Sequence, residues 1–391
     1  MTLRETILLI SISIFINNSF ASNDSLQIKT GAEQIDKYIS LLKCKKIGVV
    51  ANQTSVIGKT HLIDSLISLG IEITKIYSPE HGFRGNADAG EAVGSNIDKK
   101  TGISVLSLYG DHKKPQKSDL DGVDLIVFDI QDVGVRFYTY ISTMHYVMEA
   151  CAENNIPIII LDRPNPNGFY VDGPVLNTKF KSFVGMHAVP LVHGMTIGEY
   201  AQMIDGERWL NNKIKCNLKI ITCENYTHQL KYNLPVNPSP NLATMNAIYL
   251  YPSLGLFEGT AISVARGTYF PFEAIGHPDF TGLSFSFTPK SIEGKSKNPP
   301  YLNKACFGYD LRSDSIVIFT LKWVIDCYHQ FPNKEKYFNL FFSKLIGNDQ
   351  IALQIKKGMT EDQIRKTWEK DLKIFKNIRK KYLLYNDFTS K

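Results

Sequence analysis

Several short apolar runs of the chain each stop at a cluster of polar residues. The clearest are KIGVVANQTS, ITKIYSPEHGFRG, DLIVFDIQDVGVRFY and IPIIILDRPNPNG. A strand that is buried on both faces of a parallel sheet shows this pattern, because neither of its faces alternates with solvent. Ligands of such sheets bind beyond the carboxyl ends of the strands. The pattern therefore predicts that the polar clusters share one edge of a sheet, and we place the active site there.

Helical periodicity between these runs predicts an α/β fold. HLIDSLISLG has apolar residues at helical spacing and ends at Gly70, and Thr196 with Glu199 forms a capping box before a second helix. We expect strands at 46–51, 73–78, 103–108, 125–129, 156–161 and 218–222, with a long helix at 138–154. Their alternation predicts a Rossmann-like parallel sheet with helices on both faces.

The length of 391 residues and a change of pattern predict two domains. The segment LPVNPSPNL, at 234–242, is rich in proline and asparagine and interrupts regular structure. Beyond it, AISVARG and SIVIFTL suggest short strands, and two or three helical patterns follow. We expect a catalytic domain at 22–240 and a smaller α+β auxiliary domain at 241–391 that completes the cleft.

Residues 1–21 have the pattern of a signal peptide. Arg4 precedes an apolar run at 7–16, and residues 19–21 form a small-x-small cleavage site. The run is too short to span a bilayer, so we expect no stable membrane insertion. The mature protein is expected to be exported, to the periplasm or beyond the cell. The spacing of its six cysteines leaves their pairing open.

Charge and missing motifs exclude several classes of function. The net charge of +6 is mild and lies largely in the last helical segment, so we expect no nucleic-acid partner. Gly58-Lys59-Thr60 is not a P-loop, because Gln53 stands where a glycine is required. No G-x-G-x-x-G, G-x-S-x-G or H-E-x-x-H motif occurs. We therefore expect neither a nucleotide nor another cofactor.

Glu80 is the strongest candidate for chemistry. In SPEHGFRG it lies between a proline that ends a strand and Gly82, which permits a tight turn, so its carboxyl group can be aimed into a cleft. The alternative is a surface ion pair with Arg84. His81 and Arg84 are candidate substrate-binding residues beside it.

The polar residues after the fourth strand suit a sugar with a carboxylate. They are Asp129, Gln131, Asp132, Arg136 and Tyr138. Arginine binds carboxylates through two parallel hydrogen bonds, and aromatic faces cover pyranose rings. For Asp132, capping of the next helix is the alternative.

Three further places in the N-terminal half contribute candidate substrate-binding residues. Asn52 follows the first strand, Asp162, Arg163 and Asn165 follow the fifth, and His193 precedes a helix. A local ion pair is the alternative for Asp162 with Arg163, and a structural role is the alternative for His193.

A dense polar cluster in the second domain contains Glu258 and Arg266, each beside a glycine. The glycines suggest a loop that approaches a ligand closely. An inter-domain salt bridge is the alternative.

These motifs resemble the NamZ-type exo-β-N-acetylmuramidases, a family of peptidoglycan glycosidases. The matching segments are SPEHGFRG, DLIVFDIQDVGVRFYTY, LDRPNPNG, VPLVHGMTIGEYA, NPSPNL, YPSLGLFEGT and ARGT, in order along the chain. The resemblance implies release of non-reducing-end N-acetylmuramic acid from a β-1,4 link to N-acetylglucosamine. It also implies that the catalytic glutamate is Glu80. One departure from the family pattern lies in AISVARG, at Ala261 and Ala265.

The residues themselves fit glycoside hydrolysis, which uses one carboxylic acid to protonate the leaving oxygen and a second group at the anomeric carbon. Our hypothesis makes Glu80 the general acid, kept protonated by a cleft that disfavours its ionised form. Asp129 is the first choice for the second carboxylate and Glu258 the next, while attack by the substrate's own acetamido oxygen stays open. The arginines that could hold the lactyl carboxylate are Arg84, Arg136 and Arg266.

Two other functions remain open at this point. A metal-dependent hydrolase or deacetylase would use Asp129, Asp132, His81 and His193. A sugar-binding protein without catalysis would also have two lobes around a cleft.

Overall fold

A mostly parallel sheet forms the centre of the N-terminal domain. The computed structural model describes residues 27–80, 82–83, 96–314 and 318–389, so the expected signal peptide lies outside the described residues. The first strands are β1 (Ile47–Ala51), β2 (Val56–Ile57), β3 (Thr60–His61), β4 (Ile73–Ser78), β5 (Asn96–Ile97), β6 (Ser104–Ser107), β7 (Leu125–Asp129), β8 (Ile158–Leu161) and β9 (Leu218–Ile221).

In the described part of the chain the sheet order is β5-β6-β4-β1-β7-β8-β9, and β2 with β3 forms a separate hairpin. Every neighbouring pair of the sheet is parallel except β5 with β6. Without the edge strand β5, this is the doubly wound order of a Rossmann fold, which has its ligand crevice at the carboxyl ends of the strands.

Helices cover both faces of this sheet. They are α1 (Ile39–Leu42), α2 (Leu62–Ser68), α3 (Tyr140–Glu153) and α4 (Ile197–Gly206). Successive residues of a strand point to opposite faces. Accordingly Val49 packs with residues of α1 and α2, whereas Val50 belongs to a second cluster with α3 and α4. The Rossmann-like prediction is therefore confirmed.

The C-terminal domain is smaller and of mixed α and β structure, also as predicted. Its antiparallel strands have the order β10-β12-β11. The bounds are α5 (Met245–Leu254), β10 (Ala274–His277), β11 (Phe285–Phe287), β12 (Cys306–Asp310), α6 (Lys322–Gln330), α7 (Leu340–Ile346), α8 (Gln350–Lys356), α9 (Glu361–Lys366) and α10 (Glu369–Arg379).

The strands predicted for this domain differ from those observed. AISVARG contains no strand beyond a single bridge between Ser263 and Gly276, because its backbone turns at Ala265. SIVIFTL lies partly outside the described residues, and its described part is irregular. The boundary at residue 240 stays a prediction, since one hydrophobic core cluster runs through both domains.

The C-terminal tail, residues 383–389, returns to the N-terminal domain. Tyr385 donates a hydrogen bond to Asp162, and the backbone N–H of Leu384 donates to Glu199. The buried Arg379 donates to the carbonyl oxygen of Gly194. The last residues of the chain therefore complete hydrogen bonds of the first domain.

Candidate active site

A cavity of about 410 Å³ lies between the two domains, beyond the carboxyl ends of β4, β6 and β7. This volume is within the usual range for small-molecule sites, about 300–1,000 Å³. The N-terminal domain contributes Glu80, Tyr109, Phe137, Tyr138, Thr139, Tyr140 and Val184 to its wall. The rest of the wall consists of Ser239, Leu242, Tyr251, Glu258, Arg266, Phe272, Ser296, Asn298, Pro300 and Phe341.

Glu80 lies in the cavity wall, at the turn that follows β4. Gly82 has a φ of 75°, and its N–H donates to the carbonyl oxygen of Pro79, so the predicted tight turn is present. The Thr139 hydroxyl donates to Oε2 of Glu80 at 3.3 Å. Burial raises the pKa of Tyr109, and the nearby Glu80 carboxylate raises it further through charge and a hydrogen bond. Two hydroxyl groups therefore orient the Glu80 side chain.

Aromatic rings form one side of the cavity. Tyr138 packs edge-to-face against both Tyr140 and Tyr251, and Tyr251 packs likewise against Phe272. The Tyr138 hydroxyl donates to the carbonyl oxygen of Pro238 at 2.8 Å, which holds the ring in the cavity wall. Apolar aromatic walls with few polar groups are typical of binding sites for small ligands.

Glu258 and Arg266 supply the charged part of the C-terminal wall. Nε and Nη2 of Arg266 donate to Oε1 of Glu258 at 2.9 and 2.6 Å. Glu258 lies in a short 3-10 helix (Gly255–Gly259) that follows α5. The pair lies within the C-terminal domain, so the alternative of an inter-domain salt bridge is not what the structure shows.

Asp129 does not reach the cavity. Its carboxylate is fully buried, and Arg163 donates to Oδ1 from Nε at 2.6 Å and to Oδ2 from Nη2 at 2.8 Å. Arg163 also donates to the carbonyl oxygen of Val56. Both residues were expected to contact substrate, Asp129 as a catalytic group. The structure instead places them in a buried ion pair that joins the ends of β7 and β8.

Asp132 and His193 lie together behind the cavity wall, with Oδ2 and Nε2 3.9 Å apart. Burial raises the pKa of Asp132 to about 7 and lowers the pKa of His193 to about 3. Asp132 accepts from the N–H of Gly134 at 2.6 Å, so it stabilises a turn and does not cap the following helix. The imidazole is therefore neutral at neutral pH, and neither residue lines the cavity.

Asp162 and Asn165, predicted to bind substrate, are buried structural residues. Asp162 accepts from the Thr196 hydroxyl, the N–H of Gly198 and Tyr385, and burial raises its pKa to about 6. Asn165 donates to the carbonyl oxygen of Met195. Their hydrogen-bonding groups are thus engaged within the protein.

Three more predicted site residues also support the backbone. Arg136 is fully buried and donates to the carbonyl oxygens of Pro174, Val189 and Leu345, so it is not available to a lactyl carboxylate. Gln131 donates to two backbone carbonyl oxygens, and Asn52 accepts from Thr54. His81 and Arg84 lie outside the described residues.

The cavity also contains residues that the sequence analysis missed. Tyr109 follows β6 closely, so the rule that polar groups cluster at strand ends would have found it. Thr139 lies within the matching segment after β7. Ser296, Asn298 and Phe341 come from distant parts of the C-terminal domain, where no local pattern marks them.

Metal-ligand clusters and membrane-spanning helices are both absent from the described residues. Among these residues, no group of three or more histidine, cysteine, aspartate or glutamate side chains is arranged to hold a metal ion. Within the same residues, no helix combines the length and apolar character needed to cross a bilayer. All six cysteines are described, and all are free thiols.

Comparison with known proteins gives consistent matches over most of the chain. Residues 47–246 match the N-terminal domain of the exo-β-N-acetylmuramidase NamZ, and residues 249–385 match its C-terminal domain. The chain is 40% identical over 385 residues to the peptidoglycan β-N-acetylmuramidase NamZ of Bacillus subtilis (strain 168), covering 92% of each chain.

Solved structures of two DUF1343 family proteins from Bacteroides fragilis are also similar. One has a TM-score of 0.86 at 47% identity, and the other has a TM-score of 0.79 at 27% identity. In both comparisons 92% of this chain and 99% of the other are covered. With both halves of the family matched in order, the protein belongs to the NamZ exo-β-N-acetylmuramidase family.

Proposed function

We propose that the protein is an exo-acting glycoside hydrolase that releases N-acetylmuramic acid from the non-reducing end of β-1,4-linked peptidoglycan fragments. The observation that carries this proposal is the placement of Glu80. Its carboxyl group lies in the wall of the inter-domain cavity, oriented by Thr139 and Tyr109. The named activity of the Bacillus subtilis relative supports the same reaction.

In this reaction Glu80 acts as general acid. It gives its proton to the glycosidic oxygen as the bond to the anomeric carbon breaks, so N-acetylglucosamine leaves as a neutral alcohol. The rings of Tyr138 and Tyr251, which line the cavity, contact the apolar side of the sugar ring. His81 and Arg84, its neighbours in the sequence, are also proposed to bind substrate.

We also propose that the reaction takes place outside the cytoplasm. Arg4, the apolar run at 7–16 and the small-x-small site at 19–21 support export. The substrate, a cell-wall fragment, is found in the periplasm and beyond. Mass determination of the N-terminus of protein recovered from cell fractions tests this, and an intact leader on the cytoplasmic protein would contradict it.

Turnover of two substrates tests the function and the role of Glu80. The wild type should release muramic acid from the natural disaccharide and from 4-nitrophenyl β-N-acetylmuramide. Glu80→Gln should lose about 100- to 10,000-fold in kcat/KM on the disaccharide, which needs a protonated leaving oxygen. The loss on the nitrophenyl substrate should be much smaller, because nitrophenolate leaves without a proton.

Glu335→Gln is the matched control, because the Glu335 side chain is 89% exposed at the surface. It should retain wild-type rates on both substrates. Failure of the wild type to release sugar from either substrate would overturn the proposed activity and favour a sugar-binding protein. Unchanged turnover by Glu80→Gln on the disaccharide would overturn the role of Glu80.

A further inference from the structure

We propose that Glu258 is the second catalytic carboxylate and that Arg266 positions it. The inference rests on the proposed glycosidase function and adds a residue to it. The sequence placed this role first on Asp129, but both oxygens of that carboxylate are bound by Arg163. Within the described part of the cavity wall, Glu80 and Glu258 are the residues with carboxylate side chains.

The two oxygens of Glu258 have different surroundings. Oε1 accepts both hydrogen bonds from Arg266. No group among the described residues donates a hydrogen bond to Oε2, and the side chain is 29% exposed where it lines the cavity. One oxygen is therefore fixed by a cation, and the other is available to a bound sugar or water.

Arg266 itself is held rigidly. Its guanidinium lies over the ring of Phe272, 5.0 Å from the ring centre. Ala265 has a φ of 58° and Phe272 a φ of 60°, conformations that cost an L-residue roughly 1–2 kcal/mol. Both residues are almost completely buried, so their packing maintains this strained loop. Such a loop fixes the direction of the Glu258 carboxylate.

The positions of the two glutamates in the cavity suit two different roles, proton donation by Glu80 and attack or base catalysis by Glu258. Glu80 comes from the N-terminal domain and Glu258 from the C-terminal domain, so a sugar between them can meet both. When the bond from the anomeric carbon to the leaving oxygen breaks, its electron pair stays with that oxygen, which takes the proton of Glu80. Oxygen then bonds to the anomeric carbon from the opposite face. It comes either from Oε2 of Glu258 or from a water that gives its proton to Oε2.

This geometry also assigns a role to Arg266. Its Nε and Nη2 atoms both donate to Oε1 of Glu258, and its guanidinium lies over the ring of Phe272. Arg266 is therefore a positioning residue and not the group that recognises the lactyl carboxylate.

Kinetics of Glu258→Ala on both substrates test the catalytic role. We expect kcat/KM to fall about 100- to 10,000-fold on the disaccharide and on the nitrophenyl substrate alike, because an activated leaving group does not replace the missing carboxylate. This result differs from that expected for Glu80→Gln, which spares the nitrophenyl substrate. A Glu258→Ala enzyme with unchanged kcat/KM would overturn the inference.

Addition of azide tests the position of Glu258 relative to the sugar. A small anion that fills the space of the removed side chain attacks the anomeric carbon from the face opposite to the leaving group. We expect azide to restore turnover of the nitrophenyl substrate by Glu258→Ala and to yield the α-glycosyl azide. Absence of rescue, or a β-glycosyl azide formed through the acetamido group, would overturn the inference.

Arg266→Gln separates positioning from substrate recognition. The rates on 4-nitrophenyl β-N-acetylmuramide and on the corresponding β-N-acetylglucosaminide, which lacks the lactyl group, are compared. We expect the variant to lose kcat with the preference for the muramide retained. A loss of that preference through a raised KM would make Arg266 the lactyl clamp and overturn this part. Turnover of the muramide by the wild type tests the proposed function, whereas the variants test the roles of Glu258 and Arg266. The two can therefore fail independently.

Discussion

Two carboxylate–arginine pairs of this protein differ in how many of the carboxylate oxygens accept a hydrogen bond from the arginine. In the pair of Asp129 with Arg163, both oxygens accept hydrogen bonds and both side chains are almost completely buried. In the pair of Glu258 with Arg266, one oxygen accepts both bonds and the carboxylate borders a cavity. A buried pair in which both carboxylate oxygens are bonded stabilises the fold. A partly exposed pair in which one oxygen is not bonded by any described group can contact a ligand.

Asp129→Asn should therefore act on stability. Removing one charge of a buried ion pair leaves the other uncompensated, so the free energy of unfolding should fall by about 3–5 kcal/mol. Urea unfolding measures this change. The molecules that remain folded should retain the wild-type kcat on the disaccharide.

Asp326→Asn provides the control for Asp129→Asn. Asp326 pairs with Lys322 at 2.7 Å on the surface of α6, and both side chains are well exposed. Loss of such a pair should change the free energy of unfolding by no more than about 0.5 kcal/mol. An Asp129→Asn protein of wild-type stability but without activity would restore Asp129 as a catalytic candidate.

At the scale of elements, the sequence predicts the N-terminal sheet well. The runs that became β1, β7 and β8 are almost entirely apolar because both faces of each strand are covered by helices, whereas β4 also contains polar residues. The capping box of Thr196 and Glu199 is also present at the start of α4. These signals are local, so they can be recognised without knowledge of the tertiary structure.

The C-terminal strands were not predicted, for a physical reason. Among the described strands, β10 and β11 each pair with β12, and Gly276 of β10 also bridges Ser263. These strands are short, with glycine in β10 and β12. Their stability comes from pairing between distant segments, which leaves little periodic pattern in any one of them. The break between α9 and α10 at Thr367 and Trp368 likewise interrupts what the sequence presents as one helical pattern.

For the candidate site, the rule that ligands collect at strand ends identified the correct edge of the sheet but not which side chains face the cavity. Glu80 and Tyr138 line the cavity, whereas Asp162 and Arg136, from the same edge, bond to buried groups of the protein itself. The direction in which a side chain points depends on the groups that surround it, and those groups are distant in the sequence. Asp162, for example, meets Tyr385 across 223 positions.

The C-terminal tail should contribute to the stability of the N-terminal domain through Tyr385. The Tyr385 hydroxyl donates to Asp162 and accepts from the N–H of Cys223, so Tyr385→Phe removes two hydrogen bonds to buried residues. We expect the free energy of unfolding to fall by about 1–3 kcal/mol, as measured in urea.

Tyr382→Phe is the matched control for the tail. The Tyr382 hydroxyl donates to Glu207 at 2.7 Å in a partly exposed position, where water can replace the lost bond. Its effect should be less than about 1 kcal/mol. If the two variants were equally stable, the contacts of Tyr385 would not contribute to the stability of the N-terminal domain, which would contradict this prediction.

At the scale of the whole molecule, the two domains share much of their interior. One cluster of buried apolar residues includes strands of the N-terminal sheet and helices of the C-terminal domain. Arg136 donates a hydrogen bond to the carbonyl oxygen of Leu345, and the largely buried Asp172 forms an ion pair with Arg365. Neither domain can open far without exposing apolar surface and breaking these bonds.

We therefore expect a single cooperative unfolding transition. The three tryptophans permit a direct measurement, because Trp209 lies in the N-terminal domain and Trp323 and Trp368 in the C-terminal domain. A Trp209→Phe protein and a Trp323→Phe/Trp368→Phe protein report on opposite domains by fluorescence. Their urea midpoints should each coincide with that from circular dichroism of the same variant. Separate midpoints for the two probes within one variant would show independent domains.

The return of the tail to the first domain has a consequence for biosynthesis. A ribosome releases the N-terminal domain long before it adds residues 383–389. Until then, the hydrogen bonds from that segment to Asp162, to Glu199 and to the backbone of residue 228 cannot form. The nascent domain must therefore remain incomplete until translation ends. The first domain can therefore reach its full set of hydrogen bonds only after residues 383–389 have left the ribosome.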